Sequence, residues 1–129
     1  DHTRTMSAFW HRSVALIERE AEDLWLRYTR QQATNHTLRK LLDAKTHLYY
    51  GKIDLAHDRG TDAVRKELDS TDRYLEEALS QAEPAVRQRI NQLRKQVHTL
   101  KQGLDGEREQ VKARYEQTMT DLLQLIHNH

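Results

Sequence analysis

The chain contains no cysteine, one proline, four glycines and one phenylalanine in 129 residues. Without cysteine there is no disulfide scaffold, no thiolate metal knuckle and no thiol nucleophile. Scarce glycine and proline leave few places for a helix to stop. An excess of one charge sign is also missing: 21 Lys+Arg face 20 Asp+Glu, for a formal charge of +1. Such a balance exerts no general pull on nucleic acid or acidic lipid. Long apolar runs are missing too; Val14-Ala15-Leu16-Ile17 is among the longest. No bilayer span, signal peptide or direct membrane insertion is therefore expected within this segment.

What is present is charge and helix formers. Charged residues make up 32% and hydrophobic ones 36%, a balance typical of long helices and coiled coils. A mean hydropathy of −0.96 implies a thin core for a globule of this length, whereas narrow seams between long helices need fewer apolar side chains. The expected fold class is all-α: an elongated antiparallel bundle or coiled coil with two long helices and one shorter central helix. A closed four-helix bundle is the alternative.

Apolar positions set the helices. Trp10, Val14, Ile17, Ala21, Leu24 and Tyr28 recur at alternating steps of four and three, the spacing of a coiled-coil seam. The same count lands on Gln31 and Asn35, then on Leu38 and Leu42. Retention of phase favours one continuous helix with Gln31 and Asn35 as a polar layer; the competing reading has Asn35 or Thr37 capping a second helix after a bend. Asp58-Arg59-Gly60-Thr61-Asp62 reads as a turn, with Gly60 in the left-handed region. Val64, Leu68, Leu75 and Ala78 share one face of the next helix, which Glu83-Pro84 ends. Val86, Ile90, Leu93, Val97, Leu100 and Leu104 form the cleanest repeat. After Gly103 and Gly106 the stripe resumes at Val111 with a small drift, which a coiled-coil stutter would produce, so continuity is again expected. The predicted helices are 3–57, 61–82 and 84–128, in a single module over 1–129. Beginning at Asp1 and helical nearly to both ends, the segment reads as cut from a longer protein, one that is anchored to a membrane in one version.

A short helix between two long ones leaves apolar stripes uncovered at both ends. The predicted partner-binding residues are Phe9, Trp10, Ile17, Leu24, Trp25 and Tyr28 on one overhang, and Val111, Tyr115, Met119, Leu122 and Ile126 on the other. Exposed stripes of this kind need company, and Trp and Tyr dominate the energetic centres of interfaces. Gln31 and Asn35 would set register, or hold a small polar ligand between parted helices.

Other constellations have plainer readings. The eight histidines lack the i,i+4 spacing of a helical metal site in the chain interior. His36 and His47 lie about 16 Å apart along a helix. Asp43 with His47, Asp54 with His57, and His127 with His129 are the nearest local pairs, so neither metal nor cofactor is expected. Glu18, Glu20, Glu22 and Asp23, like Glu76 and Glu77, sit among arginines at the spacing of a solvated face. Without a phosphate loop, a nucleophile elbow or H-E-x-x-H, no catalytic residue and no enzymatic activity are expected. Arg87, Arg89, Arg94, Lys95 and Lys101 have no interleaved aromatics, and acidic side chains of the neighbouring helix would neutralise them; nucleic acid is not expected. Tyr49 and Tyr50, with Lys45 and Lys52 nearby, would cap the bundle or line a small pocket.

Ala44-x-x-His47-Leu48-x-x-Gly51-Lys52-x-Asp54-x-Ala56, followed by the helix to Ala82, resembles the repeated helical hairpins of bacterial extracytoplasmic proteins. The resemblance implies helical hairpins and an extracytoplasmic (periplasmic) setting, and no functional residue. The expected function is that of a non-enzymatic helical spacer and association module, acting through a homodimer or another helical protein. The alternative is an extracytoplasmic four-helix sensor of a transmembrane receptor, with a bend near Asn35, both termini at one end and a polar ligand cavity.

Overall fold

A computed structural model describes the backbone of residues 2–32, 35–57 and 59–128, and the side chains of 12–28, 35–57 and 59–128. Five α-helices are described: α1 His2–Gln32, α2 His36–Ala56, α3 Thr61–Ala78, α4 Pro84–Gln102 and α5 Arg108–His127. No strand occurs among the described residues.

Two predicted long helices are thus each two helices. At the first break Asn35 is extended (φ −93°, ψ 127°) and its side chain accepts a hydrogen bond from the Leu38 amide. Asn35 is therefore an N-cap, which satisfies a helix-end donor, and not a layer inside a seam. Gln31 has its side chain outside the described residues. The second break falls on the glycines. The Gly103 amide bonds back to Leu100 and Thr99, and the Gly106 amide bonds to the Gly103 carbonyl. Glu107 then starts α5. Two glycines, each costing about 1 kcal/mol in a helix, end the helix here where the stutter reading carried it through.

The other punctuation follows expectation. Gly60 has φ 91°, which only glycine adopts without strain. Leu79–Gln81 make one turn of 3₁₀ helix, and Pro84 opens α4.

Helix α2 packs on α3, α3 on α4, α4 on α5 and α5 back on α2. The ring encloses one core: Leu41 and Leu48 from α2, Leu68 and Leu75 from α3, Ile90 and Val97 from α4, Tyr115 and Leu122 from α5. Helix α1 adds nothing described to that cluster and lies outside the ring along α2. Facing α3, Arg94 of α4 pairs with Asp72 at 2.9 Å, and Lys101 pairs with Asp69. The hydrogen bond that Arg94 donates to the Asp72 carboxylate pushes the Arg94 pKa up.

Tyr115 is the largest fully buried side chain among the described residues. Its hydroxyl donates to the Leu48 carbonyl at 2.7 Å and lies against Gly51, where any Cβ would collide with the phenol. Burial, then the carboxylates of Glu67 and Asp54, push its pKa well above the ordinary value. A raised folded-state pKa gives stability that is whole below the unfolded value near pH 10 and declines as pH rises above it, because the unfolded chain ionises first. Urea midpoints should therefore fall between pH 9 and pH 11, and less steeply for Tyr115→Phe; equal falls would contradict the assignment.

Candidate association surface

Helix α1 runs antiparallel to α2, and charged groups set the register. Arg19 Nη2 donates to both carboxylate oxygens of Asp54, at 3.1 and 3.2 Å, and lies 3.8 Å from Glu67 on α3. The Arg19 guanidinium also stacks 4.7 Å from the Tyr50 ring centroid, while the Tyr50 hydroxyl donates to Asp23. Deeper in the seam, Lys45 Nζ donates to Glu22 Oε1 at 2.7 Å and sits 3.7 Å from the Trp25 ring centroid. His57 lies 3.7 Å from Glu18. Both partners of the Lys45–Glu22 pair are nearly buried, with side chains 11% and 10% exposed. Tyr49, beside this cluster, has its pKa raised by burial and then by Glu18 and Glu22.

Helix α1 thus turns its ionic side inward, and its apolar stripe faces out. Ile17 is 65% exposed, Leu24 63% and Tyr28 66%; Leu16, off the stripe, is 59% exposed. Ala21 between them is also exposed. Trp25, at 40%, lies on the edge of the stripe. With Leu123 and Ile126 of α5 it lines an apolar groove that extends the outer face of α1 onto the bundle.

The pairing of Arg19 with Asp54 and Asp23 with Tyr50 puts Ala56, the last residue of α2, level with about residue 17 of α1. The first turns of α1, from His2 to about Val14, therefore extend roughly 20 Å past that end of α2. Phe9 and Trp10 fall on this extension, with side chains outside the described residues.

No protein-family model matches the chain, and neither a curated protein nor a solved structure matches it. The reading of the surface rests on its own chemistry.

The second predicted overhang does not exist. Val111, Tyr115, Met119 and Leu122 are buried in the ring, and Ile126 packs half-buried against it. The fold-back at Gly103–Gly106 supplies their partners from α2 and α4. Of the first predicted set, Ile17, Leu24, Trp25 and Tyr28 are exposed, although they lie alongside α2 and not on an overhang. Leu16 and the 42%-exposed Leu123 were not predicted, although each adjoins a stripe residue and so marks a stripe wider than the seam count.

The histidines have mostly separate partners. His47 Nδ1 contacts Glu67 at 2.8 Å and its ring stacks on Tyr74 at 5.3 Å. His36 contacts the Glu77 carbonyl and Ser80. Asp54 pairs with Arg19, and His57 lies 3.7 Å from Glu18. Among the described residues no three His, Cys, Asp or Glu side chains cluster as a metal site. Tyr49 and Tyr50 belong to the seam under α1.

Proposed function

We propose that this chain is a non-enzymatic helical spacer and association module that self-associates through the outer face of α1. One observation carries the reading: Ile17, Ala21, Leu24 and Tyr28 keep seam spacing and stay exposed, while the charged side of the same helix is covered. A solvated helix ordinarily buries its apolar stripe and wets its charges. Here the order is reversed, as suits a helix with a second partner. Nearly two-thirds of each of three large side chains is open to burial, and burying a leucine-sized side chain completely is worth about 1.5–3 kcal/mol. The two ends of the described chain lie at opposite poles of the bundle. Arg19 and Asp54 place the start of α1 at the pole of the α2–α3 turn. Arg108 donates to the Leu55 carbonyl at that same pole, so α5 finishes at the opposite one.

Sedimentation tests it. The wild type should dimerise at concentrations up to about 100 μM, a weak-interface range. Leu24→Lys should be monomeric with an unchanged melting temperature, because Leu24 touches no part of the core. A monomeric wild type, or a Leu24→Lys dimer as tight as wild type, overturns the proposal.

A further inference from the structure

The stripe carries information about how two copies would meet. Glu20 and Arg27 flank it on one edge, seven residues apart, and both are exposed with no ion pair among the described residues. In an antiparallel pair of helices, flanking residues on this edge face the same edge of the partner. We infer that α1 pairs with α1 of a second copy in antiparallel orientation, about a two-fold axis between Glu22 and Asp23, with Glu20 facing Arg27 of the other copy twice. The inference rests on the self-association proposed above and adds orientation, register and the two ion pairs.

Three features of the page select this arrangement. The first is charge: only a two-fold at 22–23 brings Glu20 of each chain to Arg27 of the other. Sliding the two-fold by half a heptad, to residue 19, sets Glu20 against Glu20. A parallel pair sets Glu20 against Trp25 and leaves both charges unmatched. Size is the second. The antiparallel layers are Ala21 with Leu24 and Ile17 with Tyr28, each occurring twice, so a small or medium residue always meets a larger one. Parallel layers would stack Ala21 on Ala21, leaving a gap, and Tyr28 on Tyr28, forcing the helices apart. The third feature is the rest of the molecule. Antiparallel pairing directs the extended first turns of the second copy past Tyr28, toward the groove of Trp25, Leu123 and Ile126. The bundles themselves lie on the far sides of both α1 helices, because each α1 is seated on its own α2 by its inner face.

Charge reversal distinguishes the arrangements. Glu20→Arg alone, and Arg27→Glu alone, each convert two attractive pairs into two repulsive ones. Each should raise the dimer Kd about tenfold at low salt and by less at high salt. The double variant Glu20→Arg/Arg27→Glu restores both pairs with signs exchanged and should return Kd to within about twofold of wild type. Circular dichroism melts of all three variants should match the wild type if the fold is untouched. Single variants that dimerise like wild type, or a double variant as weak as the singles, overturn the antiparallel register. A dimer still abolished by Leu24→Lys in that case leaves the α1 face standing as the interface. A wild type that never dimerises overturns the face itself, and the inference with it.

Discussion

Tyr115→Ala should lower the stability of the bundle by about 3–5 kcal/mol, the usual range for truncating a buried aromatic. Tyr115 is 1% exposed and spans the contact between α5 and α2. Its removal leaves a cavity that the surrounding leucines cannot close, because Leu48 and Leu68 are held by their own helices. Gly51 makes the loss larger: the backbone of α2 has no side chain there to lean into the space. Chemical denaturation reads the change as a lower midpoint with an unchanged slope. A loss under about 1 kcal/mol would mean that α5 is not seated on α2 as described.

Lys45→Ala should act on a different part of the molecule. Glu22 is nearly buried, and Lys45 is its ion-pair partner. Stripping one partner from a buried pair costs about 3–5 kcal/mol, because the remaining charge keeps its desolvation penalty. Here that cost has an escape. Helix α1 packs along α2 outside the ring, so its detachment from α2 returns Glu22 to water. The core, which draws no described residue from α1, stays intact. Amide hydrogen exchange should accelerate about a hundredfold through α1 beyond its end turns while α4 and α5 keep their protection. Combining Lys45→Met with Glu22→Leu replaces the pair by apolar contact and should reseat the helix. Wild-type protection of α1 in Lys45→Ala would show that the ionic seam does not hold it.

Much of the ring could be read from the chain before its structure was known. The 86–104 repeat, the turn at Gly60 and the start at Pro84 each announce themselves, because spacing and backbone chemistry agree at those points. The two missed breaks share a cause. At Asn35 the chain resumes in the same heptad phase, and at Gly106 it resumes with a shift that a stutter also explains. A periodic count registers phase, and phase is blind to a reversal of direction. The orientation of α1 was hidden for another reason. Nothing local says that Glu18, Arg19, Glu22 and Asp23 have Lys45, Tyr50, Asp54 and His57 as complements, since those residues lie some thirty positions away and meet them only once the chain doubles back.

Trp25 sits against the Lys45 ammonium, and the only other tryptophan is Trp10. Replacing Trp10 with phenylalanine would leave a single indole, located on α1 and absent from the ring. Its emission colour, sensitive to a cation beside the ring and to water at its edge, would then report whether α1 is seated on α2. Helix α1 thus carries its own optical gauge of how it sits on α2.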